Sequence, residues 1–187
     1  YYTWFWIGAP WYVSWGWYYQ PYPYYAGPSY WVTDYTISRM LEDEYARGYE
    51  AGQDSMAGTP ISDPVKEQLR VQVDATAQAF QTESSITLEA ALADPNYLFI
   101  VDAQITATTV AEGTTCVMTG GDIIRAAGEP DTEIPVAAMT VVTAKQGNCP
   151  AGATVNVSYT DLQEMLNTFS ETVDDGLNEL KNQPTPR

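Results

Sequence analysis

The first 33 residues constrain the fold more than any other part of the chain, because they carry no charged side chain and are dense in aromatic residues. Seventeen of the first 35 residues are Trp, Tyr or Phe, and all six Trp residues precede position 34. Each large aromatic side chain buries about 150–250 Å² when it is enclosed. A soluble monomer tolerates an exposed apolar patch of only a few hundred Å². We therefore expect this segment to be buried against a surface.

Four kinds of surface could bury the segment: a membrane, the chain's own domain, sugars and neighbouring copies of the chain. Four prolines interrupt it too often for a transmembrane helix of about 20 apolar residues, so we predict no membrane span. Burial against the chain's own domain is one alternative, and stacking on sugars is another. We favour an irregular, Gly- and Pro-rich assembly arm over residues 1–33 that packs against neighbouring copies of the chain. The predicted interface residues are Trp4, Trp6, Trp11, Trp15, Trp17, Tyr18, Tyr19, Tyr24, Tyr25 and Trp31.

A helical region is predicted over residues 34–95. Apolar residues near helical spacing follow Asp34, which is the predicted N-cap of a helix over residues 34–53. A second helix is expected to begin with Asp63 as its N-cap and Pro64 at the first helical position. A short third helix over residues 85–93 ends before Pro95.

Residues 96–187 are predicted to form a small β domain with a C-terminal helix. β-Branched and aromatic residues favour five strands over residues 97–107, 115–119, 122–127, 136–145 and 154–159. Gly120 and Gly121 are expected to form a tight hairpin turn. Thr160 and Gln163 form the capping box of a long amphipathic helix. The predicted fold class is α+β: a small, strongly bent antiparallel β-barrel or sandwich with N-terminal helices and a C-terminal capping helix.

The only two cysteines, Cys116 and Cys149, are predicted to form one disulfide. A zinc site is disfavoured because the chain has no histidine and no further cysteine. A disulfide implies an oxidising compartment. The sequence begins at Tyr1 and not at Met, as expected after removal of a signal peptide. We predict an extracellular or cell-surface location.

The charge and the missing histidine argue against several functions. With a net charge of −16, the chain repels nucleic-acid phosphates. Without histidine it lacks the commonest general base, and a disulfide would leave no thiolate nucleophile. Catalysis by two carboxylates stays open in principle, but no pair stands out among the 24 acidic residues. We predict that the chain is not an enzyme, with no catalytic residue, metal site or cofactor.

Asn156 begins an Asn-Val-Ser sequence that is a candidate N-glycosylation site. It lies inside the last predicted strand, where alternation predicts that its side chain points outward between Val155 and Val157.

Three stretches in the C-terminal half resemble a family of uncharacterised secreted bacterial proteins of the acidobacterial type. They are MTGGDII at residues 118–124, TAKQGNC at 143–149, and VNVS at 155–158 leading into DLQEM at 161–165. The resemblance covers residues 97–182 and does not extend to the aromatic segment. It implies an exported bacterial protein and supplies no activity.

Together these features predict a structural subunit of an extracellular filament or surface assembly. Copies of the chain itself are the expected partners, with the aromatic arm docked on its neighbours. The alternative is a cell-surface carbohydrate-binding module, for which glycans would be the partner.

Overall fold

The computed structural model describes residues 9–47, 58–131, 133–145 and 147–183. Trp4, Trp6 and the C-terminal part of the predicted helix over residues 34–53 lie outside these ranges. In chain order the described elements are α1 (Pro10–Trp15), α2 (Pro28–Ala46), α3 (Asp63–Gln81), α4 (Leu88–Ala93), β1 (Phe99–Ile100), β2 (Ile105–Thr109), β3 (Thr115–Met118), β4 (Ile123–Ala126), β5 (Val136–Thr143), β6 (Thr154–Ser158) and α5 (Tyr159–Asn182).

Helix α2 begins at Pro28, six positions before its predicted start. Proline suits the first helical position because its fixed φ is already helical and its missing N–H is not needed there. The uncharged residues that follow Pro28 continue the helix. Asp34 is therefore not an N-cap, and its side chain is buried within the helix instead.

Two other helices begin beside the residues predicted to cap them. Ser62 is the N-cap of α3 and accepts a hydrogen bond from the Val65 amide at 3.5 Å, so that Asp63 is the first helical residue. In α5 the N-cap is Ser158, whose Oγ accepts from the Asp161 amide at 3.1 Å. The predicted capping box is therefore wrong, because Thr160 lies inside the helix and is not its N-cap. A serine hydroxyl reaches the free N–H groups of the first turn readily, which makes it a strong N-cap.

The six strands form one open antiparallel sheet in the order β1-β4-β5-β6-β2-β3. The predicted α+β class is confirmed. Of the predicted barrel or sandwich, the barrel does not close, because β1 and β3 are the two edges of the sheet, and all six described strands belong to that one sheet. Strand β1 has two residues and pairs with β4, whereas β3 pairs with β2. The two-residue β1 offers few backbone groups with which the sheet could close on itself.

The stretch predicted as one strand over residues 97–107 forms two strands at distant places in the sheet. From Ile100 to Ile105 the chain can span at most about 17 Å. In a flat sheet the four spacings from β1 to β2 would measure about 19 Å. The short connection therefore fits a twisted sheet better than a flat one, and the strong bend expected from the sequence stays a prediction.

The segment that contains Gly120 and Gly121 is not the predicted hairpin turn, because β3 and β4 are not neighbours in the sheet. It crosses from one part of the sheet to another, as the connection from β1 to β2 does, and we call these two connections the crossings. The segment runs beside the crossing between β1 and β2. The Val101 amide donates to the Asp122 carbonyl, and the Gly121 amide donates to the Val101 carbonyl, both at 2.8 Å. These bonds join the two crossings side by side.

Two clusters of buried apolar residues stabilise the fold. Successive residues of a strand point to opposite faces, so Ile123 belongs to one cluster and Ile124 to the other. The first cluster contains the N-terminal aromatic residues together with residues of α2, α3 and the C-terminal half of α5. The second contains the N-terminal half of α5 and residues of α4.

The irregular arm of the prediction does not describe residues 9–33. This part contains α1 and the first turns of α2, and it packs into the first cluster. The Ile61 amide donates to the Tyr18 carbonyl at 2.9 Å, which ties the segment to the residues before α3. The surface that buries Trp11, Trp15, Tyr18, Tyr19 and Trp31 is therefore supplied by the chain itself.

Candidate functional site

An ion pair lies fully buried where the two crossings meet. The Lys145 Nζ donates to Asp122 Oδ1 at 2.7 Å, and the side chains are only 2% and 0% exposed. The same Nζ donates to the Gly120 carbonyl at 2.9 Å. We call Lys145, Asp122, Asn148, Thr119 and Gly120 the Lys145 cluster.

Both carboxylate oxygens of Asp122 accept N–H groups. Oδ1 accepts from the Lys145 backbone amide at 3.3 Å in addition to its ammonium group. Oδ2 accepts from the Thr119 amide at 2.9 Å and from Asn148 Nδ2 at 2.7 Å. A buried charge is tolerated only when it is paired and hydrogen-bonded, and this carboxylate satisfies both conditions.

Aromatic side chains of the N-terminal segment surround the Lys145 amine. Its Nζ lies 4.9 Å from the ring centroid of Tyr18 and 5.7 Å from that of Trp15. Burial lowers the pKa of Lys145 because the charged form is desolvated, and the charges of Asp122 and Glu44 oppose this effect. Burial also raises the pKa of Tyr18 well above its ordinary value, with a further contribution from Asp122.

The two glycines let helix α2 approach the cluster closely. At Gly121, φ is +96° and a Cβ atom would lie 2.6 Å from Leu41 Cδ2. At Gly120, a Cβ atom would lie 2.9 Å from Glu44 Oε2, which accepts from the Gly120 amide at 3.2 Å. A larger residue at either position would displace the α2 side chain that lies against it, Leu41 at Gly121 and Glu44 at Gly120.

The predicted disulfide between Cys116 and Cys149 is formed. It links β3 to the loop that follows β5, and the Cys149 amide donates to the Val117 carbonyl at 2.7 Å. The disulfide therefore holds the neighbouring Asn148 beside Asp122. A disulfide is compatible with an extracellular protein.

A second polar group anchors the N-terminal segment to α2 and α3. Asp34 accepts from the Tyr19 hydroxyl and, at 2.8 Å, from the Tyr22 amide. The Lys66 Nζ lies 3.8 Å from the ring centroid of Tyr22 and donates to the Gln20 carbonyl. Burial raises the pKa of Asp34, against the hydrogen bond from Tyr19 and the charge of Lys66. These contacts hold the segment on its own domain.

The remaining described residues of the predicted interface are less buried than the five in the core. Tyr24 is 74% exposed, whereas Trp17 and Tyr25 are half-buried. Val13, which was not among the predicted interface residues, is 81% exposed on α1. The uncharged segment thus has a buried side and an exposed side.

Asn156 is exposed on β6 between the buried residues Val155 and Val157, as the alternation predicted. Its backbone lies within the sheet, opposite Thr108 of β2 and Ala138 of β5. Its side chain is accessible, and its glycosylation stays a prediction.

A groove of about 290 Å³ opens between α5 and the end of α3 with the residues that lead into α4. Its lining contains no charged side chain and includes Phe80 and Phe169. The polar side chains of the lining are those of Thr76, Ser84, Ser85, Thr87, Tyr97, Gln163, Asn167 and Ser170. Sequence reasoning missed this groove, because its residues come from three separate stretches of the chain.

The Lys145 cluster was also missed, although the sequence carried a signal for it. Lys145 is one of only eight basic residues, and it follows directly after an apolar strand. A lysine in that position needs a buried acceptor, but the sequence analysis places Asp122 only at the start of a predicted strand, directly after the Gly120-Gly121 turn.

Among the residues that the structure describes, no group of three or more His, Cys, Asp or Glu side chains is placed to hold a metal ion. In the same parts of the chain, no helix has the length and hydropathy that crossing a membrane requires. No known family model, curated protein or solved structure matches the chain, and the resemblance to secreted bacterial proteins stays a prediction.

Proposed function

We propose that the chain is a non-catalytic structural subunit of an extracellular filament or surface assembly. Copies associate through the exposed side of the uncharged N-terminal segment. The distribution of charge carries this proposal: the net charge is −16, and all 24 acidic residues follow position 33. Two copies that each carry this net charge repel each other in solution. The uncharged segment offers a surface on which two copies meet without that repulsion.

The buried half of the segment supports the same role. Trp15 and Tyr18 are fully buried and fix the segment on its own domain. Val13 and Tyr24 are consequently presented from an ordered backbone, and a preorganised surface loses less conformational entropy on binding. Because part of the segment is buried on its own domain, the surface left for contact with another copy is smaller than that of the predicted arm and has a fixed conformation.

The chemistry of the buried groups supports a structural role in preference to catalysis. Lys145 and Asp122 are closed to solvent, so no external substrate reaches them. Both cysteines are held in the disulfide, which also favours an oxidising, extracellular environment.

Paired charge substitutions test the proposal. Val13→Glu with Tyr24→Glu adds two charges to the segment, whereas Val71→Glu with Val110→Glu adds two charges at exposed apolar positions elsewhere. Sedimentation velocity over a range of concentrations, with electron microscopy, measures association. We expect the wild type and the second variant to associate and the first variant to remain monomeric. A monomeric wild type, or equal association of the two variants, would refute the proposal.

The groove beside α5 favours a glycan-binding module as a second candidate. Hydroxyl and amide groups next to aromatic rings form the kind of lining that binds neutral sugars, and Gln163 and Asn167 offer both donors and acceptors. Titration calorimetry against soluble polysaccharides tests this candidate. Binding that is lost on Gln163→Ala with Asn167→Ala would support it, and the absence of heat with any polysaccharide would exclude it.

A further inference from the structure

The Lys145 cluster holds an amine and a carboxyl group that are in contact with each other and shielded from solvent. Groups enclosed in this way are protected from external reactants and are held against each other. We propose that Lys145 and Asp122 condense to an intramolecular isopeptide bond, which joins the end of β5 covalently to the crossing that precedes β4. This proposal does not depend on the proposed assembly.

The contacts of Asp122 suit nucleophilic attack by the amine. The Lys145 Nζ lies 2.7 Å from Oδ1, so it needs only a small shift to reach the Cγ atom. The other oxygen, Oδ2, accepts from the Thr119 amide at 2.9 Å and from Asn148 Nδ2 at 2.7 Å. Two N–H donors on one carboxyl oxygen form an oxyanion hole, which stabilises the negative charge that develops there during attack.

The reaction balances within the pair. A proton passes from the Lys145 ammonium along its hydrogen bond to Oδ1 of Asp122, which leaves a neutral amine and a neutral carboxylic acid. The Nζ–Cγ bond forms, and Oδ2 carries the charge of the tetrahedral intermediate. The Cγ–Oδ1 bond then breaks, and Oδ1 leaves as water with a second proton from Nζ. No oxidant, reductant or additional reactant is required.

The dry surroundings favour the amide over the ion pair. Desolvating two charges is costly, and a neutral product avoids that cost. Burial also lowers the pKa of Lys145, which favours the neutral, nucleophilic amine. The rings of Trp15 and Tyr18 lie over this amine and limit the access of water, which hydrolysis would need. Fixed contact between reactants can correspond to an effective concentration of about 10⁵ M or more.

The mass of the intact protein tests the proposal directly. The purified wild-type chain is reduced and alkylated, so that the disulfide no longer contributes, and is weighed under denaturing conditions. We expect a mass lower than the sequence mass by one water molecule. A chain at its full sequence mass would overturn the proposal, whatever the behaviour of any variant.

Tryptic peptides locate the bond. Trypsin cuts the unreacted chain after Arg70, Arg125 and Lys145, which separates residues 71–125 from 126–145 and 146–181. An amide on Lys145 blocks cleavage there and keeps residues 71–125 joined to 126–181 after reduction. Recovery of the three separate peptides as the main products would contradict the proposal.

Two lysine variants provide the matched comparison. Lys145→Arg keeps the positive charge but removes the reactive amine, and it should restore the full mass. Lys181→Arg changes an exposed lysine of α5 and should still lose one water. A loss of water that persists in the Lys145→Arg chain would assign it to another residue pair and overturn the proposal.

Discussion

Replacing Trp15 by alanine tests whether the aromatic segment belongs to the chain's own core. Trp15 is fully buried, and its ring packs edge-on against Tyr45 at a centroid distance of 6.2 Å. Truncating a buried Trp to Ala costs about 3–5 kcal/mol of unfolding free energy, from lost burial and the remaining cavity. Val13 lies two positions earlier in the same helix and is 81% exposed. Val13→Ala should therefore change stability by less than about 0.5 kcal/mol.

Equilibrium unfolding in urea measures the difference. With a slope of about 2 kcal/mol per molar urea, Trp15→Ala should lower the midpoint by about 1.5–2.5 M. The shift should be the same at low and high protein concentration, because burial within one chain does not depend on mass action. Equal midpoints for the two variants, or a shift that appears only at high protein concentration, would refute burial within the chain.

Two further predictions concern the surroundings of the Lys145 cluster. Gly121→Ala should lower the unfolding free energy by about 1–3 kcal/mol, and by more than Gly113→Ala. Both glycines have positive φ, but only at Gly121 would the added Cβ atom clash, with Leu41. Equal losses of unfolding free energy in urea would contradict this prediction. The Tyr18 hydroxyl has a pKa raised by burial above its ordinary value of 10.0, so its contribution to stability is complete below that pH and is lost as the pH rises above it. Between about pH 10 and 11, the unfolding free energy of the wild type measured in urea should therefore fall by about 1 kcal/mol more than that of Tyr18→Phe, and parallel pH dependences would exclude the effect.

Local sequence patterns predicted most of the helices and strands correctly. α3 and α5 follow apolar stripes at helical spacing, and their predicted N-caps lie one and two residues after those of the structure. The disulfide followed from the cysteine count alone, and the outward side chain of Asn156 followed from strand alternation. The helix starts and the strand alternation depend on neighbours in the sequence, and the disulfide on the presence of only two cysteines, so a single sequence contains the information.

Features that depend on distant contacts were not predictable in this way. The strand order separates β1 from β2, although an unbroken run of strand-forming residues joins them. The destination of the aromatic segment depends on whether α2, α3 and the sheet leave an apolar surface to cover. The apolar content of the chain does not show whether the aromatic segment packs on its own domain or on a neighbouring subunit. The partner of Lys145 lies 23 positions away and became evident only when the two crossings were placed side by side.

Internal burial of the aromatic segment changes what its removal would mean. Deleting residues 1–33 would remove Trp15, Tyr18 and Trp31 from the core, so a loss of assembly in that chain would not distinguish a missing interface from an unfolded domain. Substitutions on the exposed side avoid this ambiguity, because Val13 and Tyr24 contribute little to the core. The buried side has a separate role: Trp15 and Tyr18 cover the Lys145 amine and help to maintain the dry environment that the proposed isopeptide bond needs. One uncharged segment can thus shield a covalent cross-link with one side and contact another copy with the other.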